Sequence, residues 1–159
     1  MPKSQKVETP AKQVAGFIAR FDHAIAKLIR GARAKIRKRL PTAVELVYDN
    51  YNALAIGFGP TERTSDAILS VAGYATGVTL YFTYGKSLPD PHHRLEGAGN
   101  QGRFVRLTSL AVLDEPAVAD LVTAAEARAR TPFAAAGRGY TVVKSISAKQ
   151  RPRRALKKA

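Results

Sequence analysis

Between Val44 and Ser109 the chain lays down one short alternating segment after another, with no helical period between them. Across Val44–Phe58 the even positions Val44, Leu46, Tyr48, Leu54, Ile56 and Phe58 are apolar, a repeat of two. Asn50 and Asn52 interrupt the run, and Asp49-Asn50-Tyr51-Asn52 reads as a turn or bulge joining two strands. A strand over Asp66–Ala72, a hairpin connection at Gly73–Gly77, a cleanly alternating strand over Val78–Tyr84 and a strand over Arg103–Ser109 follow. Strands joined by short connections pair antiparallel, because a parallel pair needs a crossover of about a dozen residues or more.

Helical patterns flank this block. Thr9-Pro10 is an N-cap with proline at the first helical position, opening a helix that runs to about Arg20. Asp22 caps a second helix over His23–Arg39, which Pro41 ends. Ile25, Leu28, Ile29, Ala32 and Ile36 form its buried stripe; Lys27, Arg30, Arg33, Arg37 and Lys38 lie opposite. Asp114 caps a third helix with Pro116 in its first turn and an apolar stripe of Val118, Leu121, Val122 and Ala125. Tyr140–Ile146 alternates weakly, as an edge strand would. The expected fold class is α+β: a two-layer sandwich with the N-terminal and C-terminal helices packed on one face of an antiparallel sheet of about five strands. The expected organisation is a disordered N-terminal segment over 1–12, one domain over 13–146 and a basic C-terminal tail over 147–159.

Charge is the feature closest to function. The chain has a formal net charge of +14. The excess sits at the two ends, while residues 41–127 hold more acids than bases. Residues 128–159 carry ten bases and no acid. Such asymmetry points to a polyanion, nucleic acid before others. The expected contacts are Arg33, Arg37, Lys38 and Arg39 at the end of the second helix, with Lys144, Lys149, Arg151, Arg153, Arg154, Lys157 and Lys158 in the tail. Aromatics are absent after Tyr140, so contact there is with the backbone and carries no sequence preference. The competing reading is a solvated tail, or one that pairs with the acidic middle of the same chain.

Other motifs carry less. Gly97–Gly102, GAGNQG, has the spacing of a dinucleotide fingerprint, but a proline-rich loop precedes it and a strand follows, so no helix N-terminus is there to hold a pyrophosphate. Asp90, His92, His93 and Glu96 are weak candidates for a metal, since adjacent histidines on extended backbone point apart. Tyr48, Asp49, Asn50, Tyr51 and Asn52, with Tyr81, would line a small-ligand pocket if the Asp49–Asn52 segment were a bulge. No catalytic constellation is nominated, no G-x-S-x-G elbow occurs, and no cofactor is expected. The absence of cysteine removes disulfides and thiolate chemistry. No apolar run approaches the about 20 residues of a membrane span, and no signal-like segment opens the chain, so a cytoplasmic location is expected.

VELVYDNYNAL, GFGPTER, GVTLYFTYG with LPDP after it, and KSISAKQRPRR occur in one order over about residues 13 to 154. As a set they resemble the YdhG-like domain family, largely of unknown function. The resemblance implies an α+β sandwich of helices against an antiparallel sheet. Some members are described as frataxin-like intracellular iron chaperones, so it also implies iron as an alternative ligand. That role is attributed to an acidic ridge on the first helix; the matching helix here, His23–Arg39, is strongly basic and would repel ferrous ions. In the glycine loop Asn100 stands where relatives often have lysine.

Overall fold

The structure, a computed structural model, describes residues 8–155. Three helices, α1 (Pro10–Ala19), α2 (His23–Arg39) and α3 (Pro116–Ala127), accompany six strands: β1 (Val44–Asp49), β2 (Leu54–Gly59), β3 (Leu69–Tyr74), β4 (Gly77–Phe82), β5 (Arg103–Arg106) and β6 (Thr141–Ile146). The strands form one sheet in the order β5-β4-β3-β2-β1-β6. Every neighbouring pair is antiparallel except β1 with β6, which is parallel. The fold is α+β as expected, with six strands instead of five.

Most element boundaries follow from local chemistry. Thr9 accepts a hydrogen bond from the Lys12 amide, with Pro10 opening α1. Leu40, before Pro41, leaves helical geometry and stops α2. Asp22 occupies the N-cap position of α2 but makes no side-chain cap bond there. The third helix starts one residue later than Asp114 would start it. Glu115 is its N-cap residue, and Asp114 closes a short 3-10 turn from Leu110 and pairs with Lys35 of α2.

The β1–β2 turn decides which side chains face the helices. Its pairing sets Asp49 opposite Leu54, Val47 opposite Ile56 and Glu45 opposite Phe58. Directly paired residues share a face, so Glu45, Val47 and Asp49 lie with Leu54, Ile56 and Phe58. The even positions therefore do not form one face: Val44, Leu46 and Tyr48 point the other way from Leu54, Ile56 and Phe58. Leu69, Val71, Gly73, Val78, Leu80 and Phe82 continue the helix-facing side across β3 and β4.

On that side Val14 and Ile18 of α1, Phe21 between the first two helices, Ile29 and Ile36 of α2, and Val118 and Leu121 of α3 join the sheet in one core. Gly73 leaves room for α2: a Cβ there would stand 2.6 Å from Ile29 Cδ1, and that side chain would have to shift. The other side of the sheet is covered unevenly. Residues 60–67 fold over β1 and β2, where Tyr48 Oη meets Thr64 Oγ1 at 2.6 Å and Leu46 is fully buried. Over β3, β4 and β5 nothing among the described residues covers it, and Tyr74 and Tyr81 are each 40% exposed.

The expected domain limits change at both ends. Residues 10–12 already belong to α1, and the part of the N-terminal segment before residue 8 lies outside the described residues. Residues 147–154 are docked on the domain and are not a free tail, and the part of the expected tail after residue 155 lies outside the described residues.

Candidate polyanion-binding surface

Two charged residues sit on the helix-facing side of β1, and each is neutralised by an arginine from outside the sheet. Glu45 is 2% exposed. Its carboxylate receives Arg33 in a two-pronged contact, Nε to Oε2 at 2.8 Å and Nη2 to Oε1 at 2.7 Å, and also the Thr141 hydroxyl of β6. Asp49 is 1% exposed and is held from two directions. Arg153 Nη2 donates to Oδ1 at 2.9 Å, while Arg20 Nη1 and Gln150 Nε2 reach Oδ2.

The segment carrying Arg153 binds the β1–β2 turn through its backbone as well. Ser147 N donates to Asp49 O, and Arg151 N donates to Tyr51 O at 2.8 Å. Arg153 also donates to Asn50 O, its guanidinium lies 5.8 Å from the Phe21 ring centre, and Arg154 Nε donates to Arg20 O. Residues 147–154 thus wrap the turn, and composition alone hid this, because only Arg153 among them is buried.

These contacts redistribute the expected polyanion residues. Arg33 and Arg153 are spent inside the fold, and Arg39 pairs with Glu126 and Thr123. Lys144 Nζ donates to Glu62 O. Arg37, Lys38, Lys149, Arg151 and Arg154 are exposed. Lys157 and Lys158 lie outside the described residues. Among the described residues, six carboxylates (Glu45, Asp49, Glu96, Asp114, Glu115 and Glu126) are in ion pairs, and none of their partners is Lys27, Arg30, Arg37 or Lys38.

Those four cations fall on one arc of α2 about 100° wide, at 100° per residue, along about 16 Å of helix. Arg37 and Lys38 also occupy the last turn, where the helix dipole favours cations. Beyond the helix end Arg138 joins them. It shares with Arg37 a recess of about 250 Å³ over Tyr140 and Thr141. Tyr140 donates to Glu62 at 2.9 Å, and this bond, with smaller contributions from desolvation and the carboxylate's charge, pushes its phenol above the ordinary value near 10. Lys27 and Arg30 were readable from the helical period; Arg138, in an irregular segment, gave no such signal.

The other expected sites do not assemble. Asn50, Tyr51 and Asn52 form the exposed tip of the β1–β2 hairpin, with Asn50 N bonded to Ala53 O, so the segment is a turn and not a bulge. Tyr48 faces away from the helices and Asp49 towards them. Tyr81 on β4 is three strands from β1, about 14 Å away at ordinary strand spacing. Asp90 accepts the amides of Arg94 and Leu95, Glu96 pairs with Arg106, and His92 and His93 are exposed. Among the described residues no three His, Asp or Glu side chains converge in a way that would hold a metal ion. The GAGNQG loop runs into β5, with no helix after it. Among the described residues no helix is long and apolar enough to cross a membrane.

No family model matches the chain, and no curated protein or solved structure is recognisably similar to it.

Proposed function

We propose that the chain is a non-enzymatic, cytoplasmic YdhG-like module that binds polyanions, nucleic acid foremost, through the outer arc of α2. The observation that carries this reading is the division of charge. The chain's paired carboxylates neutralise arginines inside and at the edges of the core, and Lys27, Arg30, Arg37 and Lys38 remain together on one solvent face. A row of about 16 Å runs beside about five successive phosphates of one strand, spaced about 3.4 Å along the axis. Arg138 beside Arg37 extends the row past the helix end. Lys149, Arg151 and Arg154 present a second cationic patch on the docked segment. Contacts of this kind grip the backbone and leave base sequence unread.

Two of the motifs that carry the resemblance meet in the fold, where Asp49 of VELVYDNYNAL binds Gln150 and Arg153 of KSISAKQRPRR. The frataxin-like alternative, with iron as ligand, has no carboxylate ridge on α2 to stand on. The test is binding of labelled duplex DNA and single-stranded RNA across about 50–300 mM salt, where counterion release is visible. Affinity that falls steeply with salt is expected. No binding at the lowest salt would overturn the reading.

A further inference from the structure

A trough of about 710 Å³ runs along the uncovered side of β3, β4 and β5 and over the β3–β4 edge of the sheet to α2. Small side chains make its floor: Ala72 and Thr79 are directly paired across β3 and β4. Aromatic rings close it at both ends. Tyr74 stands at the β3–β4 turn, while Tyr81 and Phe104, directly paired across β4 and β5, stand at the other end. Arg106 rises beside them with its guanidinium 5.7 Å from the Phe104 ring centre. It is largely exposed, and its contact with Glu96 is a loose 3.5 Å. Gly102 packs so closely against Tyr81 that a Cβ there would overlap the phenol oxygen.

We infer that this trough takes the unpaired bases of a single-stranded nucleic acid, an inference that rests on the polyanion reading and adds the kind of strand. Half-exposed rings with an arginine among them offer stacking to any base, because every base has a π-face. A duplex keeps its bases stacked and paired inside, so only splayed bases can enter a concavity flanked by aromatic rings. The phosphates then have somewhere to go. Past Tyr74 the recess turns over the β3–β4 edge of the sheet to Ala24 and Leu28 of α2, and Lys27 follows Ala24 by three residues on the helix surface. A strand leaving the trough meets Lys27 and then Arg30. Charge also selects against a second copy of this chain as the occupant, since each copy carries +14.

The experiment compares a deoxythymidine oligonucleotide with a duplex of equal length. The chain has no tryptophan, so its intrinsic emission comes from tyrosine. The single strand quenches that emission and the duplex does not. Tyr81→Leu and Tyr74→Ala each weaken single-strand binding about tenfold or more, the scale of one lost stacking partner, and leave duplex binding unchanged. Should Tyr81→Leu fail to fold, Tyr74→Ala at the exposed turn carries the test alone. Single-strand affinity unmoved by these changes, with Arg37→Glu still weakening both ligands, overturns the trough and leaves the polyanion reading standing. Failure of both nucleic acids to bind overturns both readings. Sedimentation that shows self-association abolished by Tyr81→Leu also overturns it, by assigning the trough to a second copy.

Discussion

Arg153 Nη2 lies 2.9 Å from Asp49 Oδ1, and both side chains are almost wholly removed from solvent. An arginine in the most basic stretch of the chain therefore works as the internal counter-ion of a strand carboxylate. Breaking a buried pair by removing one partner costs about 3–5 kcal/mol, because it strands the other charge. Arg20 and Gln150 still reach Asp49, which places Arg153→Ala at about 3 kcal/mol, the lower end. Urea denaturation measures it. Arg151→Ala, two residues away and exposed over Tyr51, is the control and should cost at most about 1 kcal/mol. Equal, small losses for the two would mean the docked segment contributes nothing. A chain ending at Ile146 is accordingly no neutral probe of a free arm, since it removes this counter-ion.

Glu45 and Arg33 make a second such pair, and here a double substitution separates charge from packing. Arg33→Ala alone leaves a buried carboxylate with only Thr141 to answer it and should cost about 3–5 kcal/mol. Arg33→Met with Glu45→Leu removes both charges at similar volume and should fall within about 1 kcal/mol of the parent, or above it. Thermal or urea unfolding of the two variants checks this. A double variant as unstable as Arg33→Ala would assign the stability to side-chain packing instead of charge.

Tyr140 supplies a dependence on pH. Its hydrogen bond to Glu62 holds the phenol in the neutral form and raises its pKa above the ordinary value near 10. The sign follows: the bond's contribution is fully present below pH about 10 and is lost as pH rises through the raised value. Ultraviolet titration of phenolate absorbance, with Tyr140→Phe subtracted to isolate the group, should show Glu62→Gln bringing its ionisation down towards the ordinary range. Superimposable curves for the parent and Glu62→Gln would refute the bond.

Local chemistry made most elements legible. Thr9-Pro10 and Pro41 mark the start of α1 and the end of α2 where the structure has them, and the alternation of Val78–Tyr84 marks β4, which ends two residues earlier, at Phe82. What stayed hidden depends on contacts distant in sequence. The parallel seat of β6 beside β1 is a pairing across about a hundred residues, and an edge strand that is half exposed leaves only weak alternation. The phase reversal between β1 and β2 depends on the turn's pairing, which apolar spacing alone does not specify. Glu45 and Asp49, two acids flanking Val47 on a buried strand, were the signal that arginines had to come from elsewhere in the chain. Composition could not say which arginines, so Arg33 and Arg153 were counted with the surface. Arg37 and Lys38 were legible because a helical period assigns a face without knowledge of the rest of the fold.

The most direct test of the account is the salt dependence of duplex DNA binding by the parent chain and by Arg37→Ala/Lys38→Ala. Each phosphate contact contributes about 0.9 to the slope of log K against log salt. The account predicts tight, steeply salt-sensitive binding by the parent and a slope smaller by about two in the variant, with an unchanged unfolding curve. A parent chain that does not bind at low salt, or a variant with the parent's slope, would contradict it.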